Sequence, residues 1–334
     1  MSDIVEGSLL WQPSAETIAQ ANLTRYLAWL KENRGLKFPD YPALWRWSVT
    51  DLEAFWASMW NYFEVVASVP YATVLTERKM PGATWFEGTR LNYTENLFRR
   101  RTDARPALLY QAETGPLTEI GWQELYDQTA RLAQAFKAMG VQPGDRVVAY
   151  LPNIPEAIVG LLATASLGAI WSSCPPDFGE RSVLDRFSQI EPKVLLAADG
   201  YAWGGQWFDR TEVVARLQAG LPTLQQTVLV SQSNEGPDST LAKTVLWADL
   251  QATAAVPPLI YEQVPFDHPL WVLYSSGTTG LPKPIVQGQG GILLEHLKAV
   301  HLTLDLKAHD RFFWFTSTGW MMWNFLAGGL LNGT

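Results

Sequence analysis

Cysteine is nearly absent. Cys174 is the single one in 334 residues, so no disulfide framework can exist. That usage suits a reducing compartment and predicts a cytoplasmic protein, with Cys174 itself expected to be a small buried hydrophobe. Histidine is scarce as well. His268, His296, His301 and His309 lack the paired spacing beside a glutamate that marks a zinc-binding helix, so no protein-held metal is expected. Positive charge is in deficit, with 25 basic against 33 acidic side chains and a formal charge of −8. That balance excludes a general nucleic-acid binder, because phosphate backbones demand a basic surface. It leaves room for a local basic site that takes a small anion. The opening run MSDIVEGSLLWQPSAE carries Asp3 and Glu6 and no basic-then-apolar sequence, so no secretory signal is expected. Two uncharged stretches, 157–176 and 312–334, are long enough to span a membrane on length alone. The first is broken by Gly168 and closed by Pro175 and Pro176. The second is broken by Thr316, Ser317, Thr318 and Gly319, and again by Gly328 and Gly329. Both read as soluble interior, and no membrane partner is expected. No internal repeat or low-complexity tract is visible.

Against these absences, apolar residues make up 47% and charged residues 17%, ample for buried cores and for about two domains of ordinary size. The first hundred residues read as helical and aromatic-rich. Leu23, Tyr26, Leu27 and Leu30 form a one-sided helical stripe ended by Gly35. Thr50 and Glu53 have capping-box spacing, followed by Leu52, Phe55, Trp56, Met59, Trp60 and Phe63 on one face, an arrangement that reads as core packing. From about residue 105 the texture becomes alternating. Strands are expected at 107–111, 146–151, 169–172, 194–197, 227–230 and 269–274, and helices at 123–139, 155–167, 182–189 and 210–217. This order predicts an α/β fold with mostly parallel sheets covered by helices. Such sheets bind ligands beyond the carboxyl ends of their strands.

The most informative segment follows the strand at 269–274. It reads Tyr274-Ser275-Ser276-Gly277-Thr278-Thr279-Gly280-Leu281-Pro282-Lys283. Glycines let successive N–H groups curl toward one anion, hydroxyls add adjustable donors, and lysine adds a compact positive charge. Together they suit a polyphosphate that becomes a leaving group. The spacing is neither that of a Walker A loop nor that of a dinucleotide fingerprint.

The ten-residue segment resembles the phosphate-binding signature of the adenylate-forming superfamily, which includes the acyl-CoA synthetases, luciferases and non-ribosomal adenylation domains. Other stretches narrow the likeness. YPALWRWSVTDLEAFWASMWNYFEVV at 41–66 resembles the helical N-terminal extension of acetyl-CoA synthetase-like members, and GTRLNYTEN at 88–96 resembles their lead-in motif. SSCPPDFG with LDRFSQIEPKVLLAADG, within 171–199, and GWMMWNF at 319–325 look closest to the acetoacetyl-CoA synthetase branch.

The resemblance implies a helical extension over 1–100 and a partial AMP-binding domain over 101–334. It implies an acid–thiol ligase that joins acetoacetate to AMP, expels diphosphate and passes the acyl group to coenzyme A. ATP phosphates are then held by Ser275, Ser276, Gly277, Thr278, Thr279, Gly280 and Lys283, with Lys283 and Thr278 as the catalytic side chains. Mg2+ arrives on the ATP, and coenzyme A is the co-substrate. Trp320, Met321, Met322 and Trp323 are acyl-pocket residues or plain core. Asp177 and Phe178 lie where relatives approach coenzyme A, although the glycines of that stretch are missing. Trp203-Gly204-Gly205-Gln206 lies where relatives often carry a basic residue for the coenzyme's phosphate, a charge Gln206 cannot supply. No stretch matches the superfamily's Tyr-Gly-x-Thr-Glu adenine motif, its ribose aspartate or its C-terminal domain. Little or no ligase activity is therefore expected from this polypeptide alone, because binding energy and orientation are shared among all contacts. Two other readings stay open: a short-chain acyl-CoA synthetase for acetate or propionate, and a non-catalytic nucleotide- or partner-binding fragment.

Overall fold

The structure, a computed structural model, describes residues 5–113, 115–233, 236, 241–277 and 280–334. The chain begins with helices α1 (Ala15–Gln20), α2 (Asn22–Arg34), α3 (Tyr41–Thr50) and α4 (Leu52–Tyr62). On α2 the stripe forms as expected. Tyr26 and Leu30 are buried, Leu23 and Leu27 pack against the same core, and Gly35 closes the helix with φ of 67°. The capping box expected at Thr50 and Glu53 does not form. Thr50 is still inside α3, where its hydroxyl bonds back to the Arg46 carbonyl at 2.8 Å. Asp51 holds the non-helical position instead, and its carboxylate accepts from the Ala54 amide at 3.3 Å.

The helical reading of the first hundred residues also missed short strands. β1 (Thr73–Leu75) pairs antiparallel with β2 (Trp85–Glu87), and β3 (Arg90–Leu91) leads into α5 (Tyr93–Phe98). Beyond it lie β4 (Pro106–Tyr110), β5 (Thr118–Gly121), α6 (Trp122–Ala138), β6 (Arg146–Tyr150), α7 (Pro155–Ser166), β7 (Ile170–Cys174), α8 (Glu180–Phe187) and β8 (Val194–Ala198). A hairpin of β9 (Gly200–Trp203) and β10 (Gln206–Asp209) precedes α9 (Thr211–Gly220), β11 (Gln226–Val230), β12 (Thr244–Leu246) and α10 (Trp247–Gln251). The chain continues through β13 (Val264–Pro265), β14 (Pro269–Ser275), β15 (Lys283–Gly288), α11 (Gln289–Leu297) and α12 (Met321–Ala327). Every strand and helix expected after residue 105 is present, shifted by at most a few residues.

The central sheet has seven strands in the order β12-β11-β8-β6-β7-β14-β15. All pairings are parallel except β14 with β15. The fold is therefore α/β with a mostly parallel sheet and helices. Val147, Val148, Ala149 and Tyr150 of β6 are all 0% exposed, the continuous burial that a sheet covered on both faces requires. One core cluster runs from Tyr26 on α2 through Trp171 and Trp271 to Leu331, so the helical lead-in shares it. A second cluster on the other face joins Tyr150, Cys174, Phe187 and Val214. Cys174 is the buried hydrophobe expected, with burial pushing its thiol up to about 12. Stretch 157–176 resolves into α7, a turn at Gly168 and β7, and 312–334 ends in α12 and a 3-10 turn. Among the described residues no helix is long and apolar enough to cross a membrane.

Asn92, in the lead-in motif, ties these layers together. Its Oδ1 caps α5 by accepting from the Thr94 and Glu95 amides. Its Nδ2 donates to the carbonyls of Ala165 and Ser166 at the end of α7 and to that of Glu262 before β13. Removing a buried hub leaves several backbone groups unpaired. Asn92→Ala should therefore lower unfolding free energy by about 3 kcal/mol or more, as read by urea denaturation.

Candidate functional site

Because β6, β7 and β14 run parallel, their carboxyl ends meet at one rim. The chain after β6 begins Leu151-Pro152-Asn153, that after β7 begins Pro175-Pro176-Asp177-Phe178, and that after β14 is the hydroxyl-rich loop. A fourth segment is fastened across this rim from far along the sequence. Thr318 is fully buried; its hydroxyl donates to the Leu151 carbonyl at 2.8 Å, and its carbonyl accepts from the Ser173 hydroxyl at 2.6 Å. The next residue, Gly319, lies so close to Pro175 that a Cβ would sit 2.7 Å from the proline Cδ. No side chain fits there. Trp320 therefore emerges at the rim, 64% exposed, followed by Met321 at 53%.

The hydroxyl-rich loop is the turn of the antiparallel β14–β15 hairpin, with Ser275 opposite Lys283 at its base. The sequence reading had placed Lys283 in the loop; it is instead the first residue of a strand. Gly277 is required by a close approach, since a Cβ would lie 2.7 Å from the Leu281 carbonyl oxygen. Gly280 has φ of 149°. Helix α8 braces the hairpin from one side. The Tyr274 hydroxyl donates to the Arg186 carbonyl at 2.7 Å, and Gln189, just past α8, donates to the Pro282 carbonyl at 2.9 Å. Tyr274 thus anchors the end of the strand. No described residue hydrogen-bonds or ion-pairs with the Ser275 hydroxyl, the Ser276 hydroxyl or the Lys283 ammonium, and Ser276 and Lys283 are exposed. The loop's ends are fixed while Ser276 and Lys283 face solvent. Thr278 and Thr279 lie outside the described residues.

The four residues of the expected acyl pocket divide. Trp323 is 1% exposed, stacks on Trp171 at 6.4 Å between centroids and donates its indole N–H to Asn153 at 2.9 Å. Its position is core, whereas Trp320 and Met321 stand at the open rim and Met322 is half-buried. Asp177 is exposed and Phe178 half-buried, with the Arg186 guanidinium 5.0 Å from the Phe178 ring. Their loop is held by two groups the sequence did not single out. Tyr150 donates to the Pro176 and Phe178 carbonyls at 2.8 and 3.0 Å, and Arg210 donates to Pro176 at 2.8 Å. Arg210 opens α9 with no local pattern to mark it, so only the fold reveals its role. At the β9–β10 tip the Gly204 and Gly205 amides point at the Glu113 carboxylate, at 2.6 and 3.3 Å. An internal acid already occupies those donors. Among the described residues no group of His, Cys, Asp or Glu could hold a metal ion.

Behind the rim, His296 on α11 packs between the rings of Trp271 and Phe325. It is 5% exposed, and burial lowers its pKa to about 4.

Two family models cover most of the chain. One, described as AMP-binding enzyme, matches residues 97–334, and one described as acetyl-coenzyme A synthetase N-terminus matches 41–97. The chain belongs to the AMP-binding enzyme family. An acetoacetyl-coenzyme A synthetase of Rhizobium meliloti is 42% identical over 329 residues, 97% of this chain and 50% of the relative. A malonamoyl-CoA synthetase of Penicillium aethiopicum is 33% identical over 339 residues, 97% of this chain and 47% of the relative. Among solved structures, an acetoacetyl-CoA synthetase from Streptomyces lividans superposes with a TM-score of 0.92 at 55% identity, covering 97% of this chain and 50% of that one. The chain spans about half the length of the curated relatives it matches.

The buried histidine sets a pH dependence. Its folded pKa of about 4 lies below the unfolded value of 6.5, so the unfolded chain binds the extra proton between those values. Stability from this group is present in full above about pH 6.5 and is lost as pH falls toward 4, by up to about 3 kcal/mol. Thermal midpoints should drop over that window, and His296→Gln should flatten the drop.

Proposed function

We propose that this chain supplies the ATP-phosphate and acyl-binding portions of an AMP-forming acid–thiol ligase. The reaction is acetoacetate plus ATP plus coenzyme A giving acetoacetyl-CoA, AMP and diphosphate. The observation that carries this reading is the braced hairpin whose Ser275 and Ser276 hydroxyls and Lys283 ammonium have no partner among the described residues, beside the wall at Trp320 on the same rim. In this reading the substrate carboxylate attacks the α-phosphorus of ATP. Ser275, Ser276, Gly277, Gly280 and Lys283, with Thr278 and Thr279, hold the departing diphosphate and neutralise its growing charge. Mg2+ travels with the ATP phosphates and keeps most of its waters. The coenzyme A thiol then attacks the acyl-adenylate carbonyl, approaching past Asp177 and Phe178. Trp320, Met321 and Met322 wall the acyl group and exclude water from the adenylate, while Trp323 fixes the wall from behind. Residues 1–100 serve as the extension and 101–334 as the adenylation part, acting in the cytoplasm.

The names of the relatives bear on the acid. Acetoacetyl and malonamoyl groups both carry a second carbonyl at C3, which supports a 3-oxo acid over acetate or propionate.

Calorimetric titration of the 334-residue chain with MgATP tests the reading. Lys283→Ala should weaken ATP roughly ten- to a hundredfold, the worth of one charge-assisted contact, with a smaller loss for Ser275→Ala. ATP affinity unchanged by both substitutions would sink it.

A further inference from the structure

The acyl wall has an interior that the phosphate reading does not use. Met321 and Asn324 share one face of α12, and Gly328, the residue that closes the helix, follows four residues on. That face leads from the exposed rim at Trp320 and Met321 inward. Asn324, one turn in, is 1% exposed, and neither its Nδ2 nor its Oδ1 has a hydrogen-bond partner among the described residues. One turn further, Gly328 lies against the His296 ring so closely that any Cβ would overlap it. His296 Nδ1 is likewise buried and without a partner. Both orphaned atoms of Asn324 thus lie on this face beneath the rim, and the third, His296 Nδ1 on α11, is packed against Gly328. Buried polar atoms are almost always paired, and each exception calls for a reason. An apolar residue of similar shape at 324 would remove the penalty, so an amide there has a use beyond packing.

We propose that Asn324 is the specificity-determining contact for the C3 carbonyl of a 3-oxo acid. The inference rests on the ligase reading above and deepens it. The Asn324 amide N–H donates to the C3 oxygen as the acid's tail passes Met321. A saturated acid of equal length offers no acceptor and leaves that amide unpaired. That is how a site built to hydrogen-bond a ligand rejects an analogue that lacks the bond.

Ligand-detected NMR titrations of the 334-residue chain with acetoacetate and with butyrate test this. Wild type should bind acetoacetate at least tenfold more tightly. Asn324→Leu should abolish that preference while holding or raising the thermal midpoint, and Asn324→Asp, which swaps donors for a charged acceptor, should weaken acetoacetate further. Preference retained in Asn324→Leu would overturn the proposal, as would equal or absent binding of the two acids by wild type. The Lys283-dependent ATP titration is read separately. With ATP binding intact, a wild type that does not discriminate, or an Asn324→Leu variant that still does, rejects only the role of Asn324, whereas ATP affinity unchanged by Lys283→Ala and Ser275→Ala rejects the ligase reading itself.

Discussion

The arrangement of the site depends on a contact too close for a side chain. Thr318 and Gly319 lie across the ends of β6 and β7, held by two hydrogen bonds and by van der Waals contact with Pro175. Everything downstream inherits its position from that clamp. Trp320 projects at the rim, α12 starts at Met321, and Trp323 swings back under it to stack on Trp171. A residue larger than glycine at 319 would lift the segment from Pro175 and detach the wall from the sheet. The rim is therefore a composite of four chain segments, three of them ends of neighbouring strands and one brought in from more than a hundred residues away.

On the proposed reading, the hairpin at β14–β15 would bind an anion differently from the better-known phosphate loops. In those, a helix begins directly after the loop, and its N–H groups and dipole meet the phosphate. Here the chain enters an antiparallel strand, and α11 begins only at Gln289, after β15. The helix end that meets the hairpin is the carboxyl end of α8, whose dipole disfavours an anion, and strand dipoles largely cancel. On the proposed reading, positive potential comes from the Lys283 side chain, and directional bonding from hydroxyls and curled amides. This fits a segment so dense in serine and threonine, with its ends pinned by Tyr274 and Gln189.

Much of this was legible in the sequence, for definable reasons. The apolar runs RVVAYL and PLWVLY are continuous because strands buried on both faces have no polar side to show, and the parallel sheet followed from their alternation with helices. The hydroxyl-rich loop was legible because its composition is improbable for an ordinary turn. What escaped were features created by distance in sequence. The antiparallel β15 is marked by no periodicity, since Lys283, Pro284, Ile285 and Val286 are all exposed at a sheet edge. Thr50 and Asp51 are adjacent potential caps, and only the end of α3 decides between them. Arg210 and Tyr150 acquire their roles from the carbonyls of Pro176 and Phe178, which no local pattern announces. Trp320 and Trp323 are three residues apart in one motif, but Trp320 lies in extended backbone just before α12, so one stands at the rim and the other packs into the core.

Unengaged polar groups occur in two settings here, and their energetics differ. The Ser276 hydroxyl and the Lys283 ammonium of the hairpin are exposed to water, so leaving them free of partners among the described residues costs almost nothing. They exchange solvent for ligand when an anion arrives, and only the net of that exchange appears as affinity. Asn324 and His296 sit where water does not reach in bulk, and an unmet hydrogen bond there is a standing penalty. The first setting is compatible with many roles, because exposed loops carry such groups freely. The second is informative precisely because it is expensive: apolar replacements of similar volume would pack the same space with higher stability. On the proposed reading, the exposed loop would set which charge the site accepts, and the buried amide which neutral group it distinguishes.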